Sequence, residues 1–206
     1  MKVKLIDIPA YYINLEAHRD DNKRMKKLLT SLNFRIIKRT PGYLHEDHAT
    51  GVGLAHQNVL DSLKEKDSPF IVFEDDVSVT HFDHIIDIPD DADAIYLGVS
   101  KMGSVNNTHE ELIIADKVDG YDNIYRIYNM LAAHAVLYLN PDYVRGLAEE
   151  TQRCLDQKIP VDIGMANYMK NGKVYAIDKP MFIQTNKFRD FTDTPISRLK
   201  NVIGSN

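Results

Sequence analysis

Glu74, Asp75 and Asp76 follow four apolar residues without a break, in the run F-I-V-F-E-D-D at 70–76. Neighbouring carboxylates repel one another, and a carboxylate beside a dry core must be paired, protonated or bound to a cation. A strand alternates its side chains, so Glu74 and Asp76 are expected on one side and Asp75 on the other. Two acids converging at a strand end suit a hard divalent cation, Mn²⁺ or Mg²⁺, which few protein oxygens hold and substrate phosphates complete. Glu74 and Asp76 are therefore the candidate metal ligands. The plainer alternative is a set of solvated acids capping the turn after a strand.

These acids need elements to place them. An apolar entry at Val3–Ile8 leads into a strand at Ala10–Leu15. Met25, Leu28, Leu29 and Leu32 fall at helical spacing, with Asp20 or Asp21 as the cap. Phe34–Lys38 reads as a strand, and R-T-P-G-Y-L-H-E-D-H-A-T-G as a loop. A helix follows from about Val52 to Lys66, with Val52, Ala55, Val59 and Leu63 on one face. F-I-V-F then suits a covered strand in mid-sheet. Further on, A-D-A-I-Y-L-G and I-Y-R-I-Y are strand-like, G-S-V-N-N-T-H-E-E is a loop, and L-A-A-H-A-V-L-Y-L is a long apolar run. Asn140-Pro141 starts a helix running to about Cys154. Asp162 opens another that stops near Asn171-Gly172. Val174–Ile177 and Met181–Ile183 close the sheet, and the polar tail after Gln184 wraps over the surface. Strands alternating with helices predict one α/β domain over 1–206 with a largely parallel sheet, whose ligands bind at the carboxyl ends of the strands.

Bulk properties narrow the function classes. The 206 residues are enough for a substantial core, and 44% hydrophobic with 27% charged residues is ordinary for a globular chain. A net charge of −5 gives no general attraction to nucleic acid or an anionic membrane. The basic cluster Lys23, Arg24, Lys26 and Lys27 reads as a solvated helix face. The single cysteine, Cys154, excludes an internal disulfide and fits a reducing compartment. No segment approaches the ~18 apolar residues of a membrane span, and M-K-V-K-L-I-D-I-P carries an acid and a proline too early for a signal peptide. The expected location is the cytoplasm.

Several motifs occur in a telling order: Y-Y-I-N-L, a basic helix with R-M, G-V-G-L-A-H, then F-I-V-F-E-D-D-V. With D-A-I-Y-L-G, L-A-A-H-A-V-L-Y-L-N-P and I-P-V-D further on, the chain from about residue 11 to 184 resembles the family 25 glycosyltransferases. These include lipooligosaccharide and collagen galactosyltransferases. Val52 and Ala55 stand where the family has Cys and Ser, which marks a divergent member. The resemblance implies a GT-A (Rossmann-like) nucleotide-sugar-binding fold. It also implies transfer from a nucleoside diphosphate sugar, UDP by family habit, to a glycan or glycoprotein acceptor. Viruses and bacteria both encode such enzymes for coat or envelope glycans, and for a viral enzyme the cytoplasm is the host's.

The chemistry follows from that reading. Glycosyl transfer passes through an oxocarbenium-like state, and a metal at Glu74 and Asp76 would stabilise the leaving diphosphate. An inverting enzyme also needs a carboxylate base on the opposite face of the sugar. Asp162 matches the acid of the family's P-x-D block and is the candidate; a plain helix N-cap is its alternative. Asn14 and Arg19, at the end of the first strand and just beyond it, are candidates for binding the base and diphosphate, together with Asp75. His56 stands in the family's histidine position, and His134 interrupts an apolar run near a strand end. A satisfied buried histidine is the alternative for both. Gln184, Asn186, Lys187 and Arg189 form a polar stretch that could close over the phosphates. Two other classes compete. One is a non-catalytic module that binds nucleotide sugar or glycan with the same fold. The other is an aspartyl-nucleophile phosphotransferase, which wants D-x-D-x-T; the nearest register, Asp76-Val77-Ser78-Val79-Thr80, has serine in place of the second acid.

Overall fold

The computed structural model describes residues 1–185 and 192–205. Nine strands form one sheet. From one edge their order is Val202–Ile203, Ile113–Lys117, Ile124–Asn129, Val174–Ile177, Ala94–Tyr96, Ala135–Tyr138, Phe70–Glu74, Ala10–Asn14 and Ile37–Pro41. The sheet is mixed rather than largely parallel. Ala135–Tyr138 runs antiparallel to both its neighbours, and Ile124–Asn129 runs antiparallel to both of its own. The cause is local: no helix separates Ile113–Lys117 from Ile124–Asn129, and a parallel return needs a crossover of a dozen or more residues.

Helices cover both faces. Helix α1 (Arg19–Ser31) lays Met25 and Leu29 on one face, against Tyr12, Phe34, Ile71 and Phe73. The other face carries α2 (His48–Leu63), α3 (Pro141–Gln157) and α4 (Val161–Tyr168), which pack Val59, Leu147 and Met165 onto Tyr11, Val72 and Val136. At roughly 25 cal/mol per Å² of apolar surface removed from water, such two-sided cover is what holds the central strands. Among the described residues no helix is long and apolar enough to cross a membrane.

Element ends depart from the sequence reading for identifiable reasons. Helix α1 starts at Arg19, and His18 at its N-cap makes no side-chain cap bond. Asp20 and Asp21 sit inside the first turn, where they favour the helix dipole. Helix α2 starts at His48, four residues early, because the Asp47 carboxylate accepts the Thr50 N–H at 3.0 Å. Asn140 caps α3 as expected, accepting the Asp142 N–H at 2.9 Å. The predicted strand at Phe34–Lys38 lies at Ile37–Pro41, because Phe34 is drawn under α1 into the core.

The predicted loop at G-S-V-N-N-T-H-E-E is a β-hairpin, Gly103–Val105 with Thr108–Glu110. Asn106 and Asn107 turn it with φ of 50° and 60°, and asparagine tolerates that left-handed region. Phe182–Gln184 does not join the main sheet but pairs with Val77–Val79. The tail does more than wrap the surface: Ile196 is buried, and Val202–Ile203 adds an edge strand beside Ile113–Ile114. Asn186, Lys187 and Arg189 lie outside the described residues.

Gly98 shows how tightly the core closes on one predicted site residue. A Cβ built there would stand 1.9 Å from Nε2 of His134, a ring that is itself buried. Gly98→Ala is expected to cost about 1–3 kcal/mol, the usual penalty for overpacking a filled core. A urea midpoint equal to that of the wild type would show that the ring moves aside without strain.

Candidate functional site

The site forms where adjacent strands end together. Ala10–Asn14 and Phe70–Glu74 are parallel, with Ile13 in register with Glu74, so their carboxyl ends lie side by side. The antiparallel Ala135–Tyr138 begins at that same end, and the Glu74 N–H donates to the His134 carbonyl at 3.0 Å.

The three acids divide as the two-residue period requires. The Gln184 amide donates to Oε2 of Glu74 and, at 3.2 Å, to Oδ1 of Asp76, so these two carboxylates share a side. Asp75 turns the other way and accepts from Nδ2 of Asn14 at 2.6 Å. Arg24, which reads as a solvated lysine-cluster neighbour in the sequence, holds the turn. Its guanidinium donates to the carbonyls of Asp75 and, at 2.6 Å, of Val77. The positive group thus grips the backbone of the acidic turn.

Glu74 is held on both oxygens, with Oε1 at 3.0 Å from Nε2 of His56 in α2. Burial pushes its carboxyl up, but His56, His134 and the Gln184 amide more than offset this, leaving it below its ordinary value. Asp76 goes the opposite way: burial and then the Glu74 charge raise it to about 7. Asp75 is raised too, first by burial against the Asn14 bond, then by Asp21. One acid is thus held ionised by donors while its neighbours resist ionisation.

The remaining predicted residues separate into those brought in and those used elsewhere. Asn14 is buried, and both ends of its side-chain amide are engaged. Nδ2 also donates to the His18 carbonyl at 3.1 Å, while Arg39 Nε donates to its Oδ1 at 3.0 Å. It ties α1, two strand ends and the acidic turn together. His134 is also buried, with Nε2 3.2 Å from the Phe182 carbonyl, and burial lowers the imidazole below its ordinary range. Arg19 is exposed at the first residue of α1, and its side chain makes no hydrogen bond or ion pair among the described residues.

Asp162 lies in the first turn of α4, and Pro160 holds the N-cap position. The plain N-cap role is therefore not the one it fills. Its Oδ1 accepts the adjacent Ile163 N–H at 2.9 Å, and its Oδ2 stands 3.4 Å from Nε2 of His109 on the hairpin. Burial raises the carboxyl, His109 opposes that, and the Glu74 charge adds to it. The side chain keeps 37% of its surface open, so the carboxyl meets solvent rather than a dry interior. The Glu74 charge also reaches this carboxyl, which couples it electrostatically to the acidic turn.

Cation ligands group differently from the sequence expectation. Among the described residues, His18, Asp21 and Asp75 bring one ligand atom each within 4.8 Å of one another. Glu74 and Asp76 instead converge on one amide, an arrangement of two oxygens that fits a small hard cation in the amide's place. His18 and His109 stand in no local motif, while Asp21 reads in the sequence only as a helix cap and Arg24 only as part of a basic helix. A separate groove between α2 and α3, lined by Gln57, Asp61, Lys64 and Arg153, includes none of the predicted residues.

No protein-family model matches the chain, and no curated protein matches it. Among solved structures it is similar to a nucleoside-diphosphate-sugar pyrophosphorylase from Vibrio cholerae RC9, at 11% identity and a TM-score of 0.43 over 87% of this chain and 77% of that one. It is also similar to a glycosyltransferase involved in the glycosylation of the major capsid of PBCV-1. There the identity is 10% and the TM-score 0.41, over 83% of this chain and 93% of that one.

Proposed function

We propose that the protein is a glycosyltransferase of GT-A type, a single domain over residues 1–206. It moves a sugar from a nucleoside diphosphate, UDP by the family resemblance, onto a hydroxyl of a glycan or glycoprotein, with inversion. A cytoplasmic setting belongs to the same reading, supported by the lone free Cys154.

The observation that carries the proposal is the division of labour among carboxylates at one set of strand ends. Glu74 and Asp76 face one side, Asp75 the other, and Asp162 lies within the field of Glu74. In this reading Glu74 and Asp76 hold Mn²⁺ or Mg²⁺, which when bound neutralises the charge gathering on the leaving diphosphate. His56 and Gln184 fix the Glu74 carboxylate, so its orientation does not depend on the ligand. Asn14 and Arg24 fix Asp75 and the turn beneath the donor. Arg19, exposed at the first residue of α1, would reach the diphosphate in this reading. Asp162 takes the proton of the attacking hydroxyl, and burial keeps its carboxyl basic enough to do so.

A thermal-shift panel of UDP-, GDP- and CDP-sugars, with Mn²⁺ or with EDTA, tests this. A UDP-sugar with Mn²⁺ is expected to raise Tm, stabilising the fold by about 2.7 kcal/mol at one hundred times Kd. EDTA is expected to remove the shift. Equal Tm with and without every nucleotide sugar, in both metal conditions, would overturn the proposal.

A further inference from the structure

We propose that His109 is a positioning residue that holds Asp162 as an oriented carboxylate. The inference rests on the reading of Asp162 as the base. It starts from a hairpin, a two-stranded unit of its own, that is fastened to the main sheet. The buried Asn129 side chain grips Ser104 at both backbone groups, accepting its N–H at 2.8 Å and donating to its carbonyl at 2.5 Å. Gly103 approaches the chain so closely that a Cβ there would stand 2.1 Å from the Leu112 carbonyl. At the far end Asn167 of α4 donates to Oδ1 of Asn107 at 3.1 Å. The hairpin is thus fastened at its base to the sheet and at its tip to α4.

Between those fastenings His109 is set with Nε2 3.4 Å from Oδ2 of Asp162. The other carboxylate oxygen is already taken by the Ile163 N–H. One oxygen is therefore bonded by the helix, and the second faces the hairpin imidazole at ion-pair distance. The titratable groups facing Asp162 are His109 from the hairpin, Glu74 from the sheet, and the Cys154 thiol of α3, beside Glu150. Of these, only His109 favours the ionised form.

The step it serves is the removal of the acceptor proton as the sugar is transferred. The acceptor O–H bond breaks and its proton passes to Asp162. The acceptor oxygen bonds the anomeric carbon, and the bond from that carbon to the diphosphate oxygen breaks with its electron pair. Nucleoside diphosphate leaves. His109 touches none of the reacting atoms in this scheme and acts only through Asp162.

Two measurements on the full chain test the inference. In ¹³C NMR titrations the Asp162 carboxyl carbon is expected to titrate about one pH unit higher in His109→Ala than in wild type. In Mn²⁺-dependent hydrolysis of UDP-galactose, with water as the acceptor, kcat for UDP release is expected to fall about 10-fold with KM unchanged. His109→Gln keeps a neutral donor of similar reach, guards against a loosened hairpin, and is expected to recover part of the rate. An unmoved Asp162 titration in both variants overturns the inference. So does a shifted titration with wild-type turnover. Wild-type turnover in Asp162→Asn would instead overturn the base assignment and take the catalytic part of this inference with it, while the titration would still report the contact.

Discussion

Asp76→Asn is expected to stabilise the cation-free protein above neutral pH and, at the same time, to abolish its response to Mn²⁺. Burial and the Glu74 charge raise Asp76 to about 7 in the fold, against about 3.9 in an unfolded chain. Between these values the folded state binds more protons than the unfolded one. The contribution of Asp76 is therefore most favourable below about pH 4 and is lost as pH rises toward 7. The full difference is bounded at roughly 4 kcal/mol, less whatever water screens at this half-buried carboxyl. Asparagine carries no charge, so the variant has no such slope, and its advantage grows from pH 4 to 7. A divalent cation removes the same penalty in the wild type by neutralising the ionised pair, and an amide is a poor ligand for it. Tm followed against pH in EDTA, then with Mn²⁺ at pH 8, reads both effects. Parallel pH curves, or an undiminished Mn²⁺ shift in the variant, would remove Asp76 from the proposed cation site.

Asp162→Asn is expected to leave donor binding intact and to slow transfer by about 10² to 10⁴, the range for loss of a general base. The structure makes this substitution clean. Pro160, not Asp162, occupies the N-cap of α4, and the bond that Asp162 gives the helix comes from Ile163 N–H to Oδ1. Asparagine keeps an oxygen for that bond, so Tm is expected to change little. UDP release from UDP-galactose, beside Mn²⁺-dependent UDP affinity, separates the two properties. Turnover within threefold of wild type would place the base elsewhere, among Asp75 and the acids of the 103–111 hairpin.

The helices were legible because their signals are local. The apolar spacing at Met25 and Leu29, and the Asn140-Pro141 start, act within a few residues of themselves. The alternation of Glu74, Asp75 and Asp76 was equally legible, since it follows from the strand period alone. The sheet was misjudged because strand direction depends on what lies between strands. An apolar run such as A-V-L-Y carries no mark of which way it runs. The hairpin was hidden for another reason: Asn106-Asn107 reads as loop composition, while its paired positive φ values make it a turn. The partners of the site acids escaped because they are distant in sequence. His109 meets Asp162, and Arg24 meets the carbonyls of Asp75 and Val77, only through tertiary packing.

The amide that joins Glu74 to Asp76 comes from Gln184, 110 positions after Glu74. At a synthesis rate of 5–20 residues per second, a ribosome needs roughly 6 to 22 s to make the residues between them. Over that interval the strand ending in Glu74 can already pair with Ala10–Asn14, which is made before it. Its carboxylates must still wait for Gln184. The site therefore closes late in the life of the nascent chain, after the sheet around it has begun to form. Truncated chains that stop before Phe182 would carry the acidic turn with no Gln184 amide between its carboxylates and, at neutral pH, would be the ones most in need of a cation.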